Sequence, residues 1–358
     1  MKIGAWFRRR LRGYFFSLLR RISETDDGRA IVADGLKGLL RWRPVLGAGG
    51  QEFTESPYPE LGGGQQENRA AKRRDVVIIS GRFRSGSTLL WNIFRHIEGC
   101  VAFYEPFNER RWFDPSLRGE RVDPTHKQVE NYWKEYDGLE HLGDYYKEEW
   151  TYRNLYMDEE FWNPGMKRYI DLLINKTTGR PVLQFNRIDF RLPWIRHHYP
   201  LAKIIHLYRH PRDQWCSALL DLKRFGKDES FAEFAVCDDF YLLNWARDLK
   251  YHFPFLDQEE VSNPYQLFYY IWKLSYLFGR RYSDYSICFE HLVSDPPTEL
   301  QALFSVVEIE HYELTQLKQL IMTPGIGRWK NFADPEWFQM QESVCEAVLA
   351  EFFSKLRD

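Results

Sequence analysis

A short buried strand that runs into a glycine-bearing loop and then a helix constrains this fold more than any other feature of the sequence. The apolar run VVIIS at 76–80 is typical of a strand covered on both faces. GRFRSGST follows at 81–88, and the pattern then predicts a helix over 88–96. Such a junction directs backbone N–H groups and the positive end of a helix at an anion. The sequence therefore predicts an α/β fold with a phosphate site at this loop.

The same alternation of strand and helix recurs along the chain. Further short apolar runs predict strands at 101–104, 181–186, 202–208 and 285–290. Helical patterns occupy 192–198, 213–220, 241–251 and 265–282. Repeated β-then-α units with buried strands favour a parallel sheet. We therefore expect a three-layer α/β/α domain, P-loop-like, with a central parallel sheet of about five strands and helical cap insertions.

The expected catalytic domain covers 75–358, and two segments of different character precede it. Residues 1–46 form a basic segment that begins with seven Lys/Arg and no acid in its first 23 residues. The apolar residues of 1–22 recur at helical spacing, which fits either a helix on anionic lipid or a helix docked on its own domain. Residues 47–74, rich in glycine and polar side chains, are predicted to be a linker. Within the domain, 108–173 is predicted to be a mostly helical cap that contacts the acceptor.

Composition narrows the functional classes. The 49 basic and 51 acidic residues nearly balance, which argues against a general nucleic-acid-binding protein. The five cysteines form no CxxC pair, so we expect neither a zinc site nor a disulfide framework, and a reducing compartment fits best. No run of 18 apolar residues predicts a transmembrane helix. We therefore expect a cytoplasmic protein, peripheral at the inner membrane surface if residues 1–22 bind lipid.

The loop at 81–88 matches the nucleotide-binding P-loop except at one position. Gly81, Gly86 and Thr88 keep the register of G-x-x-x-x-G-K-[ST], whereas Ser87 stands where the lysine is required. Without that lysine, and with no clear acidic Mg²⁺ site, ATP hydrolysis is not expected. Arg84 places a fixed charge at the middle of the loop, where its guanidinium can pair with phosphate oxygens.

A second anion-binding element follows the fourth predicted strand. Arg209 ends that strand, at the edge of the sheet where open α/β proteins bind ligands. Pro211 and Asp213 suit the start of a helix, so Ser217 falls about one turn inside it. The side chains of Arg209 and Ser217 can therefore converge on one phosphate.

Together the two elements resemble the sulfotransferases that use 3′-phosphoadenosine 5′-phosphosulfate (PAPS). The resemblance extends over about residues 75–335 and rests on SGRFRSGSTLLWNIF at 80–94, AKIIHLYRHPRDQWCSAL at 202–219, YSICFEHLVSDP at 285–296 and GIGRWKNF at 325–332. The loop with Arg84 is more similar to carbohydrate, tyrosylprotein and bacterial enzymes than to small-phenol enzymes, which have lysine. His210 departs from the family, which often has aspartate there.

The resemblance implies which residues bind the donor. The backbone amides of 85–88, with two hydroxyls, would hold the 5′-phosphate, and Arg84 would stabilise the leaving phosphate or the transferring sulfuryl group. Arg209 and Ser217 would hold the 3′-phosphate, and 328–330 would border that phosphate and the adenine. PAPS is then the donor and adenosine 3′,5′-bisphosphate the product, with no metal. The expected donor-binding set is Arg82, Arg84, Ser85, Gly86, Ser87, Thr88, Arg209, Ser217, Arg328, Trp329 and Lys330.

Transfer to an acceptor hydroxyl, or amine, requires a base within hydrogen-bond reach. Glu105 ends the second strand, Pro106 is expected to keep it extended, and its place resembles that of the catalytic glutamate in tyrosylprotein sulfotransferases. Arg187 ends the third strand and either aids the sulfuryl group, binds an anionic acceptor, or pairs with Asp189 or Glu105. Asp189 and the histidines are alternative bases, although His206 lies inside an apolar strand and is expected in the core.

Two other functions are compatible with a phosphate loop. One is a P-loop nucleotide kinase or NTPase, which needs the lysine that Ser87 replaces. The other is a non-catalytic, membrane-associated nucleotide-binding protein. For a sulfotransferase, the expected partner is a hydroxyl-bearing acceptor, whether a carbohydrate, a lipid-linked molecule or a small metabolite. Aromatic residues in 103–162 can line a cleft that stacks on sugar or aryl faces.

Overall fold

The first predicted strand lies at the centre of a five-stranded parallel sheet in the computed structural model of this protein. The structure describes residues 69–119, 122–123, 126, 128–322 and 325–355. All five predicted strands are present, with their ends displaced by at most two residues. They are β1 Val77–Gly81, β2 Cys100–Tyr104, β3 Arg180–Phe185, β4 Lys203–Tyr208 and β5 Tyr285–Cys288.

The strand order β2-β3-β1-β4-β5 makes β1 the point where the sheet changes its direction of growth. Val77 lies opposite Val182 of β3 on one side and opposite Lys203 of β4 on the other. All residues of β1 are buried, which explains the consecutive apolar residues at its start. A crevice forms beyond the carboxyl end of a strand at such a point, and it is the usual ligand site of open α/β sheets.

Helices flank the sheet, and their order along the chain follows the predicted alternation. The α-helices of the described residues are α1 Arg69–Lys72, α2 Ser87–Arg95, α3 Pro164–Lys176, α4 Leu192–His198, α5 Pro211–Ala218, α6 Phe231–Phe234, α7 Leu242–Leu249, α8 Pro264–Tyr282, α9 Phe289–Ser294, α10 Pro296–Val306, α11 Leu314–Leu320 and α12 Pro335–Lys355. Short 3₁₀ helices span Lys134–Tyr136, Glu140–Asp144, Glu148–Thr151, Asp189–Arg191, Pro254–Leu256, Gln258–Glu260 and Arg328–Asn331. The predicted α/β fold with flanking helices is confirmed.

The long helix α8 packs closely on β4 because two residues leave room for each other. His206 of β4 is 2% exposed, as expected for a core residue, and its Nδ1 lies 3.2 Å from Ser286 Oγ. A Cβ on Gly279 of α8 would overlap the imidazole ring, so this position requires glycine. Burial lowers the pKa of His206 to about 3. The ring is therefore neutral at physiological pH and serves packing.

The prediction of a mostly helical cap over 108–173 is wrong for most of that segment. Within its described residues, only α3 and three short 3₁₀ helices are helical. Left-handed backbone at Arg111, Gln128 and Asn154 interrupts any continuous helix. Buried aromatic rings hold the segment instead: Trp150, for example, lies 5.3 Å from Phe107 between ring centroids. A high density of Trp and Tyr thus reflects ring packing, which imposes no helical period.

The segments before the domain fall largely outside the described residues. The predicted basic segment 1–46, its contact with anionic lipid through 1–22 and the linker up to residue 68 all lie there. The described end of the predicted linker is packed: Ala70 of α1 is buried, and Arg73 donates to Asp75 and to the Ile174 carbonyl. Across the described residues, no helix combines the length and apolar character that crossing a membrane requires.

Candidate active site

The phosphate loop leaves β1 at Gly81 and reaches α2 through two left-handed residues. Arg84 has φ +62° and Gly86 has φ +96°. Glycine is required at 86, because the Phe289 ring occupies the space that a Cβ would need. α2 then begins at Ser87, so backbone N–H groups of its first turn face the crevice beyond β1. The loop has the anion-binding form that its sequence predicts.

The structure brings the two predicted phosphate elements into direct contact. Arg84 Nε donates to Ser217 Oγ of α5 at 3.0 Å. Arg209 Nη1, just beyond β4, donates to the Arg84 carbonyl oxygen at 3.2 Å. Arg84 Nη1 also lies 3.6 Å from Asp123 Oδ2. Arg84 is 125 residues from Arg209 and 133 residues from Ser217 along the chain, yet the three residues form one cluster.

Arg209 combines deep burial with an unused hydrogen-bond donor. Its side chain is 7% exposed and stacks on Phe289, with Cζ 4.9 Å from the ring centroid. Its Nε has no hydrogen-bond partner among the described residues. Burial lowers the pKa of Arg209, and the charges of Arg84 and Arg328 lower it further, against the opposing effect of Asp213. Clustered arginines with an orphaned buried donor fit a doubly charged phosphate.

The stretch 328–330 is anchored beside α5 by one carboxylate. Asp213 accepts the backbone N–H of Gly327 at 2.9 Å and that of Trp329 at 3.5 Å. The half-buried Trp329 ring packs against Arg212, whose Cζ lies 4.9 Å from its centroid. Arg328 and Lys330 are exposed. These predicted residues therefore border the same crevice, but they are held less tightly than Arg209.

Two predicted donor-binding side chains of the loop are buried in the protein interior. The Arg82 guanidinium pairs with Asp189 at 3.5 Å and stacks 4.6 Å from the Trp245 centroid. The Ser85 hydroxyl is 1% exposed and has no hydrogen-bond partner among the described residues. In this geometry Ser85 can offer its backbone amide but not its hydroxyl to an anion. Arg82 anchors the loop to Asp189 and Trp245, so its predicted contact with the donor is corrected.

Glu105 lies at the carboxyl end of β2 in a conformation that differs from the expected one. Its φ is +41°, in the left-handed region, so the following Pro106 does not keep it extended. The side chain is 5% exposed and accepts from Asn186 Nδ2, from Asn108 Nδ2 at 2.6 Å and from Arg187 Nη1 at 3.3 Å. Burial raises the pKa of Glu105, and the Arg187 charge opposes that rise.

Arg187 lies between two carboxylates and two aromatic rings. Besides Glu105, its guanidinium binds Glu109 Oε2 through Nη2 at 2.6 Å. Its Cζ lies 4.8 Å from the Phe83 centroid and 5.7 Å from that of Tyr241, which also donates its hydroxyl to Glu109. The pairing with Glu105 that the sequence left open is present, whereas Asp189 is not its partner. Arg187 therefore orients Glu105 in this arrangement.

Asn186 is a site residue that the sequence analysis passed over. It is buried between the loop and Glu105, and its Oδ1 accepts from Ser87 Oγ at 3.0 Å and from Gln184 Nε2 at 2.6 Å. One sequence signal was available: Gln184 and Asn186 are polar residues in and directly after a strand whose neighbours are apolar. Thr88, the other predicted loop hydroxyl, shares a 2.9 Å hydrogen bond with Tyr104.

The alternative bases are engaged elsewhere. Asp189 is 1% exposed and accepts from Ser80 and Ser275, each at 2.9 Å, as well as from Arg82. Both of its oxygens are therefore occupied inside the core. His206 is buried in β4, and the His210 ring stacks on that of Trp329 with their centroids 6.4 Å apart. Glu105 is linked through Asn186 to the hydroxyl of Ser87, at the start of α2.

Comparison with known proteins identifies the family. The model of the Sulfotransferase family matches residues 76–313. Similar solved structures include the sulfotransferase domain of the Synechococcus PCC 7002 olefin synthase (18% identity, 74% of this chain and 82% of that chain, TM-score 0.32). Others are a sulfotransferase from Alicyclobacillus acidocaldarius (16%, 78% and 95%, 0.37) and retinol dehydratase in complex with androsterone and the inactive cofactor PAP (15%, 77% and 81%, 0.33). No curated protein matches the chain. Since the family model covers more than half of the sequence, including both phosphate elements, this protein belongs to the sulfotransferase family and transfers a sulfuryl group.

Proposed function

We propose that this enzyme takes the sulfuryl group from PAPS and transfers it to a hydroxyl of its acceptor, with Glu105 as the base. The observation that carries the donor assignment is the Arg84–Ser217 hydrogen bond, together with the contact of Arg209 to the Arg84 carbonyl. A donor with phosphates at both ends of one ribose needs two anion sites joined in this way. A simple nucleoside triphosphate does not.

The two anion sites differ in how they hold charge. The backbone amides of 85–88 and the hydroxyls of Ser87 and Thr88 would hold the 5′-phosphate at the start of α2. Arg209, Ser217 and Arg328 would hold the 3′-phosphate. This is supported by the Nε of Arg209, which no described residue bonds. Trp329 and Lys330, exposed or half-buried beside this cluster, would border the adenine.

The chemistry is an in-line displacement at sulfur. The bond from sulfur to the leaving phosphate oxygen breaks while a bond from sulfur to the acceptor oxygen forms, and charge spreads over the sulfuryl and leaving oxygens. Arg84, in the middle of the loop, would stabilise the leaving phosphate oxygen. Glu105 would take the acceptor proton as the new bond forms, and Arg187 would orient Glu105 and face the sulfuryl group.

The environment of Glu105 suits a base. Burial raises the pKa of its carboxyl above the ordinary value, so the carboxylate is a stronger base than an exposed one. Hydrogen bonds from Asn108 and Arg187 keep the carboxylate ionised and fixed in place. A carboxylate that is both oriented and somewhat more basic than usual is effective near neutral pH.

Ligand-dependent thermal unfolding tests the donor assignment without knowledge of the acceptor. Adenosine 3′,5′-bisphosphate should raise the unfolding temperature, because a ligand that binds only the folded state stabilises it. ATP with Mg²⁺ should raise it much less. The opposite order would favour a P-loop kinase or NTPase and would overturn the proposal. Radiolabelled sulfate transfer from PAPS into a cell extract would then show which molecule becomes labelled.

The N-terminal residues support a location at a membrane surface. The sequence of residues 1–22 combines apolar residues at helical spacing with basic residues, and anionic lipid attracts a segment of this kind. We expect full-length protein to bind vesicles that contain phosphatidylserine, and protein lacking residues 1–44 to lose that binding. Equal binding by both proteins would show that the segment serves the domain itself.

A further inference from the structure

Asn186 connects the phosphate loop to the carboxylate of Glu105 through a single amide group. Its Oδ1 accepts the Ser87 hydroxyl at 3.0 Å, and its Nδ2 donates to Glu105 Oε1. The side chain of Gln184 donates to the same Oδ1 at 2.6 Å. Asn186 is 4% exposed, so bulk water does not compete for these hydrogen bonds. The donor-binding loop and the proposed base therefore share one hydrogen-bonded group.

The orientation of this amide follows from its neighbours. An ionised Glu105 only accepts hydrogen bonds, so the amide nitrogen of Asn186 faces it. The amide oxygen then faces Ser87 and Gln184, and both of those residues carry donors. A rotated amide would place its oxygen against the carboxylate, where the two would repel. The direction of donation thus runs from the loop hydroxyl through the amide to the base.

We propose that Asn186 is a positioning residue that links occupancy of the phosphate loop to the basicity of Glu105. The inference rests on the proposed function, because it takes the loop as the site of the donor 5′-phosphate and Glu105 as the base. A phosphate in the loop offers the Ser87 hydroxyl a charged acceptor, which binds a donor more strongly than a neutral amide oxygen does. The hydroxyl then turns from Asn186 to the phosphate.

The consequence reaches Glu105 because hydrogen bonds in a chain strengthen one another. When Asn186 Oδ1 loses one of its two donors, its amide is less polarised, and its Nδ2 binds the carboxylate less strongly. Glu105 then holds a proton more tightly and is a stronger base. The enzyme gains basicity at the acceptor side when the donor is bound, which favours proton removal in the complex that contains both substrates.

The other groups around Glu105 do not depend on Ser87. Burial raises the pKa of Glu105, and Arg187 and Asn108 lower it by charge and hydrogen bonding. Among the described residues, Tyr104, Glu109, Tyr132 and Tyr136 also act on the carboxyl from the neighbouring elements. The influence of Ser87 through Asn186 can therefore be separated from theirs by substitution.

The test is the titration of Glu105 itself, followed by carbon NMR on protein carrying ¹³C at the glutamate carboxyl group. The Glu105 resonance is the one that disappears in Glu105→Gln. Asn186→Ala should raise the pKa of Glu105 by about one unit, the size expected when one hydrogen bond to a charged group is lost. Ser87→Ala should raise it by a few tenths of a unit, roughly the share that cooperativity contributes.

The decisive experiment compares the effect of Ser87→Ala on the Glu105 pKa with and without Asn186→Ala, and with the effect of a matched control. Ser87→Ala should have no further effect on Glu105 in protein that already carries Asn186→Ala. The control is Ser85→Ala, which removes a hydroxyl from the same loop that has no hydrogen-bond partner among the described residues. It should leave the pKa of Glu105 unchanged.

Three results would overturn the link. The first is a Glu105 pKa that does not change in Asn186→Ala. The second is a Ser87→Ala shift of the Glu105 pKa that is equal in the unaltered protein and in Asn186→Ala. The third is an equal change of the Glu105 pKa in Ser87→Ala and in Ser85→Ala. The last comparison stands even if Asn186→Ala does not fold, because each variant loses only one hydroxyl. Calorimetric binding of adenosine 3′,5′-bisphosphate to unaltered protein tests the donor site separately. Failure to bind would overturn the donor assignment. Normal binding, with a Glu105 pKa that does not change in Asn186→Ala or Ser87→Ala, would overturn only the role of Asn186.

Discussion

Replacement of Arg209 by alanine is the sharpest test of the donor site. Arg209 is buried, it stacks on Phe289, and its Nε is left without a partner among the described residues. We expect this side chain to donate at least one charge-assisted hydrogen bond to the 3′-phosphate. Such a bond contributes about 1.5–3 kcal/mol. At 1.4 kcal/mol for each factor of ten, Arg209→Ala should weaken binding of adenosine 3′,5′-bisphosphate by about 10-fold to 150-fold.

Isothermal titration calorimetry measures this loss directly, and β4 offers a matched control. Lys203 lies at the opposite end of the same strand, where its Nζ is 3.2 Å from Glu308. Lys203→Ala removes the same unit of positive charge from the far edge of the sheet and should leave the affinity unchanged. Arg209→Lys should fall between the two, because it keeps the charge but loses the planar fork. If Arg209→Ala bound no more weakly than Lys203→Ala, the second phosphate element would be assigned wrongly.

Three further predictions concern the base and the core. Glu105→Gln should abolish sulfuryl transfer while adenosine 3′,5′-bisphosphate still binds, since the amide keeps the shape but cannot accept a proton. Gly279→Ala should lower the free energy of unfolding by about 1–3 kcal/mol, because its Cβ overlaps the His206 ring. Gly143→Ala, whose Cβ would lie at an ordinary contact distance of 3.6 Å from Phe113, is the control in denaturant unfolding. The free energy of unfolding should also fall as the pH is lowered below 6.5, because the pKa of buried His206 is about 3. Protonation of this histidine in the unfolded state accounts for a loss of about 2 kcal/mol at pH 5.

Each of these predictions has a clear contrary result. Transfer that persists in Glu105→Gln would exclude Glu105 as the base. Equal unfolding free energies for Gly279→Ala and Gly143→Ala would mean that α8 and β4 accommodate a Cβ at position 279 without loss of stability. The pH effect has a definite sign: a histidine whose folded pKa is depressed stabilises the protein above its unfolded pKa and loses that contribution as the pH falls. His206→Gln should therefore flatten the decline between pH 6.5 and pH 5, and an unchanged slope would contradict the assignment.

The strands were predictable because their burial on both faces leaves a local record. β1, for example, was expected at 76–80 and spans Val77–Gly81. A parallel strand covered by helices on both sides must be apolar at consecutive positions, and few other elements are. The need for glycine at 86 was equally predictable from the loop motif. The structure gives the reason, since the left-handed backbone and the nearby Phe289 ring exclude other residues.

The cap between 108 and 163 was not predictable by the same logic. Its residues are held by contacts between rings distant in sequence, such as Trp150 with Phe107, and by single left-handed residues. Neither device has a period, so no pattern of three or four residues announces it. The conformation of Glu105 was missed for a related reason. A proline disfavours but does not forbid a compact conformation before it, and the hydrogen bonds from Asn186 and Asn108 outweigh that preference.

The α/β alternation, the phosphate loop, the second arginine-bearing element and the family could all be recognised in the amino-acid sequence. Local spacing specifies all of these, because one strand, one turn and one helix start carry each motif. Which charged groups meet depends on the folded arrangement of the strands. It turned Arg82 toward Asp189 rather than toward a ligand, joined Arg84 to Ser217, and placed Asn186 between Ser87 and Glu105. Such partnerships join residues from different strands, and the order of strands in the sheet brings them together, which no local pattern encodes.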